Sequence, residues 1–245
     1  MRIFILDKAY SGEKDYILRK REKDYLIKVL RLKIGDVFTC RDTKDNYYSA
    51  TIVSEDMLTI SPCEDIEATL LDHFSSYREK LPPIRVYQAI CKGKKNEQII
   101  RMLTEAGVEE TIFITSTFCQ EKTFNDHDKQ RLYDIQRESV QQSGSKTKVN
   151  PIRTIDISEV VNDSPYKVLF LHQSSRGDTI SLSKALSLIE EKQVSIIIGS
   201  EGGISDEECE ALEGLGATPV LLSTNILRAE TAGIFAVGAI ETIWS

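Results

Sequence analysis

The sequence predicts a two-part α/β protein: a small β-barrel at the start of the chain, then a mostly parallel sheet covered by helices. Three observations predict it. Residues 1 to about 62 alternate short strand-forming runs with polar turns. From Ile84 onward, strand-like runs alternate with segments of helical period, the pattern of a parallel sheet with helices on its faces. Between them, EDIEATLLDHFSSYREKLPP (64–83) is rich in charge, lacks strand alternation and closes on Pro82-Pro83, so the domains are drawn as 1–72 and 73–245.

The barrel strands are RIFIL, DVFTC, YYSATIV and MLTI, the middle two joined by the polar turn RDTKDN. In REKDYLIKVLRLKIGD, Leu26, Val29 and Leu30 recur at helical spacing and Gly35 closes the unit. In the second part IRVYQAI is the first strand. Ile99, Ile100 and Leu103 then mark one face of a helix from about Lys95 to Ala106, which Gly107 ends. TIFIT follows, then a polar helix from about Asp128 to Gln142, then the strands KVLFLH, VSIII and TPVLL. Val194 to Ile198 is, apart from Ser195, a β-branched apolar run, as expected of a strand buried on both faces. Ser205-x-x-Glu208 fits a capping box and starts a helix running to about Leu215. The last helix begins near Arg228. Its small residues Ala232, Gly233, Ala236, Gly238 and Ala239 predict burial all round, either within the sheet layer or across a homodimer interface.

Composition narrows the function. With 41% hydrophobic residues the 245-residue chain can bury a proper core, and a formal charge of -7 argues against a uniformly basic nucleic-acid coat while allowing a local basic patch. Cys40, Cys63, Cys91, Cys119 and Cys209 are odd in number and never stand at C-x-x-C spacing, so neither a disulfide framework nor a zinc ribbon is indicated. His73, His127 and His172 have no companion at ligand spacing, and no metal site is expected. MRIFILDKAY lacks the features of a signal peptide and no stretch has membrane-span length, so a cytoplasmic address is expected.

Chemistry concentrates in three segments that follow strands: Leu171-His172-Gln173, Gly199 to Gly203, and Leu222 to Ala232. In open α/β sheets such loops meet at the carboxyl edge and build the ligand site. G-x-G-x-x-G and the P-loop pattern are absent, which removes the main support for nicotinamide and nucleoside-triphosphate readings.

The pairing of IIIGSEGGISDEE (196–208) with LLSTNILRAETA (221–232) resembles the double signature of the ribosomal RNA small-subunit methyltransferase E family. The resemblance extends upstream through KVLRLKIGD, AICKGKKNEQII, LTEAGVEE and QQSG, and covers nearly the entire chain. It implies a methyltransferase that uses S-adenosylmethionine to methylate N3 of a uridine in 16S ribosomal RNA, in the decoding region of the small subunit. It also implies a PUA-like barrel over 1–72, a SPOUT (trefoil-knotted) domain over 73–245, and a homodimer. The cofactor would meet Leu171 and His172, Gly199, Ser200, Glu201 and Gly202, and then Leu222, Ser223, Ile226, Leu227, Arg228, Thr231 and Ala232. Ser200 stands where the family usually has Pro, Ser223-Thr224-Asn225 replaces a stretch of Gly-Pro-Arg type, and Ser145 stands where Arg is typical.

Methyl transfer from a sulfonium needs alignment more than a metal, together with loss of the uridine proton and a cation beside the uracil oxygens. Arg228 is the candidate cation. Glu230 and Glu201 are the acidic candidates, although a Glu near a helix start also gains from the dipole with no catalytic role. Thr231 either caps the last helix or touches the cofactor. RNA contact is assigned to Arg2, to Lys20, Arg21, Lys28, Arg31 and Lys33, and to Lys92 and Lys146. Residues 14–33 hold eight Lys or Arg against three Asp or Glu, with Tyr16 and Tyr25 interleaved. Two other readings stay open: a non-catalytic RNA-binding assembly factor, and a methyltransferase of the same fold acting on another RNA position.

Overall fold

The computed structural model describes residues 3–44, 46–63, 81–173 and 179–245. The expected boundary between residues 72 and 73 lies outside them, as do Arg2 and His73. The chain forms two compact units, Met1–Ser76 with Gln141–Gly144, and Tyr77–Val140 with Ser145–Ser245.

The first unit is a five-stranded sheet in the order β1-β3-β4-β5-β2. Its strands are β1 (Phe4–Ile5), β2 (Asp15–Ile17), β3 (Val37–Arg41), β4 (Tyr47–Ser54) and β5 (Met57–Pro62). β3, β4 and β5 form an antiparallel meander, β1 adds in parallel to β3, and β2 adds antiparallel to β5. The sheet curls as a half-barrel, with β1 and β2 as its two edges. Phe4, Leu6, Tyr16, Leu26, Ile52 and Leu58 fill its concave side.

β2 was not predicted, because only Tyr16 of its three residues is buried and its neighbours are charged. The helix read between the first two strands is shorter and less regular than its spacing suggests. α1 (Lys20–Asp24) runs directly into a π-helical turn, Tyr25–Val29, which turns Leu26 into the core and leaves Val29 exposed.

The second unit holds a seven-stranded sheet in the order β10-β12-β9-β11-β6-β7-β8, and every pairing in it is parallel. The strands are β6 (Ile84–Ala89), β7 (Glu110–Thr115), β8 (Thr154–Asp156), β9 (Lys167–Leu171), β10 (Ile180–Ser181), β11 (Val194–Ile198) and β12 (Thr218–Leu221). β11 is central, flanked by β9 and β6, and all five of its residues are buried. Its side chains alternate between two apolar layers: Ile197 joins Tyr87, Phe113 and Phe170 on one face, and Ile196 and Ile198 join Val86 and Leu169 on the other. That double burial is why the run is apolar apart from Ser195, whose hydroxyl accepts from Ser164 Oγ at 2.6 Å.

The helices are α2 (Lys95–Ala106), α3 (Asp126–Ser143), α4 (Val160–Asp163), α5 (Leu182–Ser187), α6 (Asp206–Gly214) and α7 (Ala229–Trp244). Gly107 ends α2 at φ 88°, a left-handed conformation that costs glycine little. α6 starts with a complete capping box: the Glu208 N–H donates to Ser205 Oγ at 3.2 Å, and the Ser205 N–H donates to Glu208 Oε2 at 2.9 Å.

α7 is the helix expected to be buried all round, within the sheet layer or across a homodimer interface. It is buried on one face, through Ala229, Gly233, Ala236, Val237, Ile240 and Trp244, and leaves Phe235 and Ile243 roughly half exposed. Small residues serve the buried face. A Cβ at Gly233 would lie 2.9 Å from Ile198 Cδ1, so a side chain there would press on the end of the Ile198 side chain.

Candidate active site

In a parallel sheet every strand delivers its carboxyl end to the same edge, so turns distant in sequence become neighbours there. After β9, the His172 N–H donates to Val220 O at 3.2 Å, tying that turn to β12. The turn after β11 closes on itself: the Gly203 N–H donates to Ser200 O at 2.9 Å, and Gly203 takes φ 80°. After β12, the Thr224 N–H donates to Leu222 O at 2.8 Å, and the chain then runs exposed from Ser223 to Ile226 before Arg228 opens α7.

These turns enclose one cavity of about 440 Å³, within the range of small-molecule sites. Leu171 and His172 line it from the first turn, Gly199, Ser200, Glu201 and Gly202 from the second, and Leu222, Ile226, Leu227, Arg228 and Ala232 from the third. Ser223 and Thr231, assigned to the cofactor from the sequence, are exposed and do not line it. Thr231 does not cap α7 from outside either: its N–H donates to Arg228 O inside the first turn at 2.9 Å. Lys95, Gln173, Gly203 and Asn225 line the cavity and were not anticipated as site residues. Gln173, Gly203 and Asn225 lie within quoted segments and could have been included. Lys95 lies in AICKGKKNEQII, quoted for the resemblance, but starts a helix after a different strand from the three site segments.

Glycine sets the wall of the second turn. A Cβ at Gly199 would lie 2.8 Å from the Gly203 carbonyl carbon, and one at Gly202 would lie 2.7 Å from Phe118 Cβ, so these positions admit no side chain without backbone movement. Ser200, which replaces a family Pro, is buried, and its Oγ has no hydrogen-bond partner.

Charge gathers at the rim. Lys95 Nζ donates to Glu201 Oε1 at 2.6 Å, and the Lys92 N–H donates to the same oxygen at 3.3 Å. Burial raises the Glu201 pKa, but these bonds outweigh it and hold the carboxyl below its usual range. The hydrogen bond to Glu201 in turn raises Lys95 above the ordinary ammonium range, against a smaller opposing effect of desolvation. Glu230 lies 4.0 Å from Lys95 Nζ through Oε2 and 4.0 Å from Arg228 Nη1 through Oε1. Oε2 is buried with no hydrogen-bond partner, an arrangement that costs about 1–3 kcal/mol or more for a charged group. Arg228 is 82% exposed and stands at the mouth.

The residues assigned to RNA sort differently. Lys20, Arg21, Lys28, Arg31 and Lys33 are exposed in the first unit, although Lys28 pairs with Asp24 at 2.7 Å. Tyr16 and Tyr25 belong to the packing of the half-barrel instead: Tyr16 is buried, with its hydroxyl donating to Glu22 at 2.8 Å, and Tyr25 stacks near Phe4. Lys92 and Lys146 are exposed, whereas Lys148, two residues further on, is paired with Glu109 at 2.7 Å. Cys40, Cys91, Cys119 and Cys209 are buried free thiols, and burial pushes Cys40 and Cys91 up to about 12. Among the described residues no cluster of His, Cys, Asp and Glu could hold a metal ion, and no helix is long and apolar enough to cross a membrane.

The carboxyl edge of this sheet falls within residues 78–241, which match the model of an RNA methyltransferase domain, and the chain belongs to that family. Within that class it is similar along its length to proteins named ribosomal RNA small subunit methyltransferase E. The one from Rickettsia conorii is 26% identical over 100% of this chain and 96% of its own, and the one from Bacillus subtilis is 29% identical over 90% and 87%. A probable rRNA-methyltransferase from Porphyromonas gingivalis has the same fold, with a TM-score of 0.77, 25% identity and coverage of 100% and 98%. So has a ribosomal RNA small subunit methyltransferase E from Neisseria gonorrhoeae bound to S-adenosyl methionine, with a TM-score of 0.77, 23% identity and the same coverage.

Proposed function

We propose that the protein transfers the methyl group of S-adenosylmethionine to N3 of a uridine in the 16S ribosomal RNA of the small subunit, acting in the cytoplasm as a homodimer and without a metal. The observation that carries this reading is the convergence of the turns after β9, β11 and β12 on one cavity that ends at Arg228, with the Glu230 carboxylate 4.0 Å from its guanidinium. The cavity suits a nucleoside with a charged tail. Apolar walls from Leu171, Leu222 and Leu227 offer a face for a base, and the open side of Gly203, where a Cβ would meet nothing within 4 Å, leaves room against the backbone. The start of α7 supplies a positive dipole end suited to a carboxylate.

When bound, the cofactor supplies an electrophilic methyl on a positive sulfur. The protein's own part is to hold the target base in line, exclude water and take the N3 proton. Glu201 is poorly suited to proton removal because Lys95 and the Lys92 N–H already engage its Oε1. Glu230 lies between Lys95 and Arg228, 4.0 Å from each, and is the proposed acceptor, with Arg228 as a cation for the uracil oxygens. The first unit is the proposed RNA-binding domain, with Lys20, Arg21, Lys28, Arg31 and Lys33 on phosphates. Replacing Lys20, Lys28 and Lys33 together by Ala should flatten the salt dependence of RNA binding by about 0.7 log units per lost contact on single strands.

The deciding experiment incubates the protein with labelled S-adenosylmethionine and unmodified small subunits, digests the RNA to nucleosides and maps the label by mass spectrometry. N3-methyluridine is the expected product. A methyl group on a ribose, or calorimetry showing no cofactor binding, would overturn the reading.

A further inference from the structure

Lys95 opens α2, whereas Arg228 and Glu230 stand at the start of α7, yet Lys95 and Arg228 both line the cavity and Glu230 lies between them. The Glu230 carboxylate sits between two cations, with Lys95 Nζ 4.0 Å from Oε2 and Arg228 Nη1 4.0 Å from Oε1. Both gaps are too long for a hydrogen bond, so both pairs are open. Glu230 is only 11% exposed, and its Oε2 has neither a protein donor nor contact with water. Lys95 carries three N–H donors, of which the Glu201 carboxylate engages one at 2.6 Å. Two donors thus face the cavity from either side of a carboxylate set behind them, a donor, an acceptor and a donor in that order. The imide edge of uracil presents the complement: a carbonyl oxygen, the N3–H and a second carbonyl oxygen. Cytosine presents a donor, an acceptor and an acceptor, and meets the same rim with mismatches.

We propose that Lys95, Glu230 and Arg228 form the edge that reads the imide face of uracil, with Lys95 as a catalytic cation on one of the base's carbonyl oxygens. This rests on the methyl-transfer reading given above and adds a residue and a basis for base choice. In the step assigned to the edge, the N3–H bond breaks and its proton passes to a Glu230 carboxylate oxygen. The electron pair stays on N3 and spreads onto the two carbonyl oxygens, one facing Lys95 and the other Arg228. The groups facing Lys95 are Glu201, Glu230 and the Cys91 thiol, which burial keeps protonated, so Lys95 stays charged through the neutral range.

The test compares the full-length wild type with Lys95→Met and Lys95→Arg on an RNA carrying the target uridine, measuring kcat and KM across pH, with S-adenosylhomocysteine affinity by calorimetry alongside. Lys95→Met should lose about tenfold or more in kcat at neutral pH while cofactor-product affinity is retained. Its deficit should narrow as pH rises, because added base then removes a proton that the ammonium no longer acidifies. Lys95→Arg should keep most of the activity. Unchanged turnover, a deficit independent of pH, or loss of S-adenosylhomocysteine binding would overturn the assignment, the last two by showing that Lys95 merely ties down the Glu201 turn. A wild type that leaves uridine N3 unmethylated overturns the underlying reading instead, and this edge with it.

Discussion

Two turns face each other across the cavity, and they are built in opposite ways. The turn from Gly199 to Ser205 is held at nearly every residue: Gly199 against Gly203, Gly202 against Phe118, Glu201 by Lys95, and Glu208 both to its own helix start and to the Thr117 N–H at 2.6 Å. The turn from Leu222 to Arg228 has a single internal backbone bond among the described residues, leaves Ile226 80% exposed, and ends on an exposed Arg. One wall is preorganised by close contacts and the other by little beyond its two anchors, the end of β12 and the start of α7. Free energy of local opening follows the density of buried contacts, so the first turn should define the shape of the site and the second should adapt to what enters it.

The sharpest way to break that contrast is Gly199→Ala. The new methyl would sit 2.8 Å from the Gly203 carbonyl carbon, and forcing the turn open should cost about 1–3 kcal/mol. Calorimetry with S-adenosylhomocysteine should show a loss of affinity of up to about a hundredfold, while a loss no larger than that of Ser223→Ala would erase the distinction between the turns. Next in size, Arg228→Ala on the adaptable side should slow methylation by about tenfold or more, roughly 1.4 kcal/mol of barrier, with cofactor affinity little changed in the same titration. Glu208→Ala, which removes the capping box, should lower stability by about 1 kcal/mol in urea unfolding.

The ion pair at the rim gives a pH signature. Glu201 has a depressed pKa in the folded chain, so its stabilising contribution is present above the ordinary carboxylate range and is lost as pH falls through the lower folded value. Lys95 is raised, so its contribution is present below the ordinary ammonium range and is lost only as pH rises through the higher folded value. Wild type and Glu201→Gln should thus differ in thermal midpoint at neutral pH and converge on acidification. Convergence only in alkali would reverse the argument. Smallest of all, Ile226→Ser on the adaptable turn should leave stability within about 0.5 kcal/mol, measured by the same urea titration.

Much of this was legible in the residues because the signals are local. The apolar run from Val194 to Ile198, the capping box at Ser205 and Glu208, and the left-handed stop at Gly107 each follow from the side chains present over a few positions. β8 and β10 escaped notice because they are edge strands of three and two residues, too short to carry a period. Lys95 escaped for a different reason. Its partner Glu201 is 106 residues away, and only the neighbouring positions of β6 and β11 in the sheet bring them together. Tyr16 and Tyr25 misled because aromatic residues within a basic run look the same in sequence whether they face solvent or a core.

Gly233 deserves a last thought, since it lies one helical turn beyond Glu230 and its missing side chain lets α7 rest against Ile198, the residue just ahead of Gly199. The reach between the two cations and the glycine wall is thereby gauged from beneath, by a gap the width of one methyl. A bulkier residue there would push on the Ile198 side chain beneath the turn that opens at Gly199, without touching any ligand. Evolution or an engineer could retune the spacing of the chemistry from this hidden point while every group at the mouth stayed the same.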